Sequence, residues 1–256
     1  MAQLQLRPLG VGEIVDATFT VYRRRFGPMF AIVLMLVFIP FLVSLAGGCS
    51  LDAGGTTTCT SPIGWLGYYV GVVGSIVAGV AAVLVAAGAY ADVPSDWRSA
   101  MSIGVRRTVA ILLATIVAGI LMVIGFVLLV IPGIFVLVSL AVTWEALIIE
   151  GVGPMESIKR SWRLVSGERW RVFGAGVLVI VLMVIFVGVV SAVIALILSA
   201  VLGVSGGMTG YLVQQVASLL SIPLTAALGT VIYLDLRVRK ESLSADELAA
   251  ALSEQG

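Results

Sequence analysis

The chain has 256 residues, 60% of them hydrophobic and 11% charged, with a mean hydropathy of +1.16, whereas a soluble domain averages about 25% charged residues. So few charges cannot cover a water-facing surface, and 15 basic against 14 acidic residues leave no basic excess to bind nucleic acid. Histidine is absent, which removes the commonest general base and the commonest transition-metal ligand, so neither a metal nor another cofactor is expected.

In chain order, residues 1–27 come first as an amphipathic segment: Val15, Phe19, Tyr22 and Phe26 fall on one helical face, and Glu13, Asp16, Thr20 and Arg23 on another. That pattern predicts a helix lying at the headgroup level. A membrane-spanning helix needs about 20 mostly apolar residues. Five segments meet this length, roughly 28–48, 64–90, 108–130, 173–203 and 209–234. A shorter sixth, roughly 134–149, follows Ile131-Pro132-Gly133, where proline and glycine together predict a turn. Six crossings is the preferred reading of 28–236, with a re-entrant hairpin over 108–149 as the alternative. The first span is read as uncleaved, because the apolar run before Cys49 starts too far from the N-terminus for a lipoprotein signal.

Two more amphipathic stretches precede pairs of spans. One runs from Asp96-Trp97-Arg98 to Arg107. The other carries Met155, Ile158, Trp162 and Val165 against Glu156, Lys159, Arg160 and Arg163. The chain thus reads as three units of interfacial helix plus hairpin, closed by a tail over 237–256. The expected fold class is an all-α polytopic membrane protein.

Orientation follows from the basic residues. All fifteen lie in the N-terminal segment (Arg7, Arg23, Arg24, Arg25), the second connection (Arg98, Arg106, Arg107), the fourth (Lys159, Arg160, Arg163, Arg169, Arg171) or the tail (Arg237, Arg239, Lys240). The alternate connections hold none. The positive-inside rule predicts that these segments, and both termini, are cytoplasmic in a plasma membrane.

Few residues carry chemistry. Cys49 and Cys59 share one outer connection with Asp52, either bridged or as free thiols. Gly67, Gly71, Ser75 and Gly79 form a small-residue face on the second span, suited to tight packing within the chain or to homodimerisation. Glu145, Glu150 and Asp235 lie near the inner ends of their spans, either as interfacial salt-bridge partners or as proton- or substrate-binding groups. Gln214 and Gln215 sit one to two turns into the last span and either cross-link helices or line a polar path. Arg160 and Trp162 stand for the arginine-aromatic inner face that suits lipid headgroups. No spacing unites a nucleophile, a base and a stabilising group, so no enzyme is expected.

Three stretches carry a family resemblance. They are Arg7-Pro8-Leu9-Gly10-Val11-Gly12-Glu13-Ile14-Val15-Asp16 running on to Tyr22-Arg23-Arg24-Arg25-Phe26-Gly27, then Glu150 to Leu164, then Tyr233 to Glu241. Together they resemble the bacterial membrane-domain family named after glycerophosphoryl diester phosphodiesterases. The resemblance implies an association with envelope lipid metabolism. It does not imply phosphodiesterase activity, which belongs to a separate soluble barrel with no counterpart here. The functional expectation is a non-catalytic accessory or scaffold that meets membrane lipids or an envelope protein partner. The alternative is a transporter or flippase for a lipid or small solute, with Glu145, Asp235, Gln214 and Gln215 along the route.

Overall fold

A computed structural model describes residues 6–51, 56–91, 97–203 and 206–253; Asp52 and Asp96 fall outside them. The fold is all-α, with six helices long and apolar enough to cross a membrane: Phe26–Ala46, Pro62–Ala91, Ser99–Leu128, Val130–Glu150, Arg169–Val201 and Gly207–Glu241. The chain opens with α1 (Val11–Arg24). The first span follows as α2 (Phe26–Val33), a π-helical stretch (Leu34–Phe38) and α3 (Ile39–Ala46). A short hairpin, β1 (Cys49–Leu51) and β2 (Thr57–Cys59), leads to α4 (Pro62–Ala91). Next come α5 (Trp97–Leu128), α6 (Val130–Ser139), α7 (Thr143–Glu150), α8 (Pro154–Val165), α9 (Arg169–Leu202), α10 (Gly207–Glu241) and α11 (Ala245–Ser253).

The small-residue face of α4 packs on the first span of the same chain. Pro40 has no N–H to give the Leu36 carbonyl four residues earlier, so that oxygen lacks its α-helical partner. This carbonyl lies against Gly74, so close that a Cβ there would overlap it. Two turns further out, a Cβ on Gly67 would stand 2.6 Å from the Ser44 nitrogen. Glycine permits these approaches because nothing else lets backbones come so near in lipid.

Several predicted boundaries shift. Between α5 and α6 the chain turns at Leu129, which is extended (φ −175°, ψ 159°), and not at Pro132. Pro132 instead sits in the first turn of α6, where a missing N–H costs nothing. The amphipathic stretch after residue 96 is no separate interfacial helix. It runs into the span as α5, because no proline separates 97 from 128. On α1 the buried face is Ile14, Thr18 and Val21, while Val15, Phe19, Tyr22 and Phe26 are half-buried. The helix is turned so that its packing face meets α9 and α10. In the tail, Ser244 and Glu247 cap α11 reciprocally: the Ser244 hydroxyl accepts from the Glu247 N–H (3.2 Å), and the Glu247 carboxylate accepts from the Ser244 N–H (3.0 Å).

The fourth candidate span is interrupted at Leu140–Val142, and α8 repairs the gap. The Ser161 hydroxyl donates to the Ser139 carbonyl (2.8 Å) and accepts from the Val142 N–H (3.3 Å). Glu150 binds Arg160 of α8, and Ile131 lines one cavity with Arg169 and Trp170 at the start of α9.

Candidate functional site

The described side chains include two buried carboxylates, Asp235 and Glu145, at 3% and 6% exposure. Their surroundings are opposite in kind.

Asp235 sits near the end of α10 in a dense polar cluster. It accepts the Leu9 N–H (2.7 Å), pairs with Arg171 of α9, and is approached by Arg239 one turn on (3.3 Å). Arg171 and Arg239 also both donate to the Leu9 carbonyl, each at 2.7 Å. One carboxylate therefore ties the N-terminal segment to α9 and α10. A second cluster stands beside it. Arg160 forks onto Glu150 (2.7 Å) and Glu241, Arg237 reaches Glu241 (3.0 Å), and the Tyr233 hydroxyl donates to Glu150 (2.6 Å). The hydrogen bonds to Glu241 and Glu150 push the Arg160 guanidinium still further up from its ordinary value, against the opposing effect of burial. Further out, the Gly10 N–H and then Arg7 hold the exposed Glu13 carboxyl below the usual carboxylate range. Of the sequence candidates, Asp235 and Arg160 thus have their charges spent inside the protein. Trp162 is partly exposed and meets Phe135 edge-on, with Arg169 lying 4.3 Å over the Phe135 ring.

Glu145 lies in the first turn of α7, just after the break at 140–142. The exposed N–H groups of a helix start favour a carboxylate there. Its Oε1 presses on Gly229 of α10, where any Cβ would collide with it. Its Oε2 is buried and has no hydrogen-bond partner. The side chain lines a cavity of about 630 Å³ walled by α4, α5, α6, α7, α9 and α10, within the range of roughly 300–1,000 Å³ usual for ligand sites. The walls are apolar, with Trp144 and Phe173 among aliphatic side chains, and the other polar groups on them are engaged. The Trp144 indole donates to the Thr115 hydroxyl (3.1 Å), and the Ser75 and Thr225 hydroxyls donate to carbonyls of their own helices. Nothing stands within 4 Å of a Cβ built on Gly79 or Gly176, two of the lining residues. The cavity is therefore an apolar chamber with one unspent carboxylate oxygen. A neutral chain fits its walls, and a hydrogen-bond donor fits Glu145.

A smaller cavity of about 190 Å³ lies toward the opposite end, between the first span, α4 and α10. Gln214 and Gln215 line it with Tyr68, Tyr211 and Ser218. Neither glutamine amide bonds to another helix among the described residues; the link between helices here is the Ser44–Tyr211 hydroxyl pair (2.6 Å). Cys49 and Cys59 are joined as a disulfide and pair across the β1–β2 hairpin. Leu51 of that hairpin presses its carbonyl onto Gly207 at the start of α10. The described residues hold no group of three or more His, Cys, Asp or Glu side chains suited to a metal.

The roles of Gly229, Ser161 and the break at 140–142 are not written in any sequence motif. The one available signal is a carboxylate in an apolar segment opposite a glycine in another, and it becomes visible only once α7 and α10 are known to touch.

Residues 26–236 match a family described as a domain of unknown function, DUF7847. No curated protein and no solved structure matches the chain.

Proposed function

We propose that this chain, a member of the DUF7847 family, is a non-catalytic membrane protein that binds an amphiphile inside the bilayer, its tail in the apolar chamber and its donor group on Glu145. The observation that carries this reading is the unpartnered Oε2 of a buried carboxylate on the wall of a cavity of about 630 Å³. An unpaired buried acid costs several kcal/mol, and such groups within membrane segments are rare outside functional sites. A bound donor offsets that cost. The location is the plasma membrane, with the arginine-rich end and both termini cytoplasmic by the positive-inside rule. The resemblance to the phosphodiesterase-associated membrane domains points the same way, toward envelope lipids. The reading favours handling of a lipid or amphiphilic solute over a purely structural scaffold.

A scaffold role has its own support in the exposed Arg23, Arg24, Arg106 and Arg163, with Met155 and Trp170 also exposed. These suit anionic headgroups or a partner protein at the cytoplasmic surface. The two readings separate on one experiment: purification in mild detergent, with mass spectrometry of retained lipids and proteins for wild type and Glu145→Gln. Binding at Glu145 predicts an enriched amphiphile in wild type that is lost in the variant. A protein partner retained equally by both, with no enriched lipid, would replace this reading with the scaffold.

A further inference from the structure

The two cavities share one wall. On α4 a single helical face runs from Gly67 through Gly71 and Ser75 to Gly79 and Val83, and Ser75 lines both cavities. On α10 the linings continue from Tyr211 and Gln214 through Ser218 to Thr225, Gly229 and Ile232, again at helical spacing. Both helices run in the same direction, from the disulfide hairpin to the arginine-rich end. The stretch from Tyr211 to Ile232 covers 21 steps, or about 32 Å at 1.5 Å each, against a hydrocarbon core about 30 Å thick. The two cavities are thus stacked end to end along the α4–α10 seam. At the junction stand Ser75, Val72 and Ser218 on the side of the smaller cavity and Ile76 and Ile222 on that of the larger, and the Ser75 and Ser218 hydroxyls are turned onto the Val72 and Gln215 carbonyls of their own helices.

The ends differ in chemistry. The smaller cavity offers neutral amides and hydroxyls. The larger one offers a single ionisable side chain, Glu145, which repels an anionic head and receives a cationic one.

We infer that the two cavities are successive stations of one trans-bilayer route for an amine-headed lipid, constricted at Ser75 and Ser218, with Glu145 receiving the ammonium group. This rests on the binding role of Glu145 proposed above and adds translocation and a headgroup class to it. The carboxylate–ammonium contact is a charge-assisted hydrogen bond, so its loss lowers affinity about tenfold or more.

The test uses the full chain in liposomes with phosphatidylethanolamine or phosphatidylglycerol, each labelled with a fluorophore on an acyl chain. Chemical quenching of the outer leaflet reads the rate of exchange between leaflets. The route predicts that wild type exchanges the amine-headed probe faster than protein-free liposomes, and faster than the anionic probe. Ser75→Phe and Ser218→Phe, which plug the junction from facing helices, fall to the protein-free rate yet still retain the amine lipid on purification. Val109→Ala, on the exposed face of α5 and lining neither cavity, keeps the wild-type rate, and the lipid retained by the plugged variants shows that they fold. Glu145→Gln loses both exchange and retention. Wild-type exchange no faster than protein-free liposomes, with the lipid still retained, overturns the route and leaves the binding site standing. Undiminished exchange in both plugged variants overturns it too, as does equal exchange of the two probes. Absence of any retained lipid in wild type removes the binding role itself.

Discussion

Asp235 and Glu145 are both buried carboxylates, and their levels along α10 differ by about 9 Å, the six steps from Gly229 to Asp235 at 1.5 Å each. Asp235 holds a backbone N–H and two arginines. Glu145 holds no partner at Oε2 and faces an apolar chamber. A buried acid that is paired on every side is mortar, since removing it strands the charges around it. A buried acid left unpaired costs stability and persists only where something else uses it. The contrast is what supports the proposal of a structural role for Asp235 and ligand binding for Glu145, although both residues look alike in sequence.

Substitutions sharpen or break this contrast. The largest effect is expected from Asp235→Ala, which leaves the Leu9 N–H without its acceptor and takes the buried carboxylate from Arg171 and Arg239, whose remaining shared acceptor is the Leu9 carbonyl. By analogy with other broken buried pairs it costs about 3–5 kcal/mol, read as a lowered melting temperature in detergent and easier proteolysis of the N-terminal segment. Gly229→Ala comes next. Its Cβ collides with Glu145 Oε1, an overpacking cost of about 1–3 kcal/mol. Combining it with Glu145→Ala should recover much of that loss, a coupling of about 0.5–3 kcal/mol in a double-mutant cycle. Strict additivity of the two would show that Gly229 is not there to admit the carboxylate. Ser161→Ala removes the hydroxyl that bridges the break before α7 and costs about 1–2 kcal/mol. Its second consequence is a misplaced Glu145, so ligand retention should fall with it. The smallest effect on stability is expected from Glu145→Gln, which keeps volume and replaces an unpaired buried acid with a neutral amide: its melting temperature stays level or rises. A large destabilisation there would make Glu145 a structural acid like Asp235.

Much of the architecture is legible in the sequence because lipid imposes length and apolarity directly. The six long apolar segments, the fifteen arginines and lysines confined to alternate connections, and the small-residue face of α4 all read from one dimension. What is not legible depends on contacts between segments. The face of α1 that packs is set by α9 and α10, so Ile14, Thr18 and Val21 are buried instead of the more aromatic stripe. Pro132 initiates α6 because a helix start tolerates a missing N–H, a choice that the dipeptide Pro132-Gly133 alone does not make. The break at 140–142 follows no proline or glycine and is held by Ser161, twenty residues on. For the site, Glu145 and Asp235 stand out in sequence as acids in apolar segments. Only the partners around them, Gly229 for one and Leu9 with Arg171 for the other, separate their roles.

The most direct test of the central claim is native mass spectrometry of the detergent-solubilised protein, comparing wild type, Glu145→Gln and Gly176→Leu. The first variant removes the carboxylate; the second fills open space in the chamber wall without touching it. Binding in the chamber predicts a lipid-sized adduct on wild type that is lost from both variants while their melting temperatures hold. The same adduct on all three proteins would contradict it and return Glu145 to the ranks of structural residues.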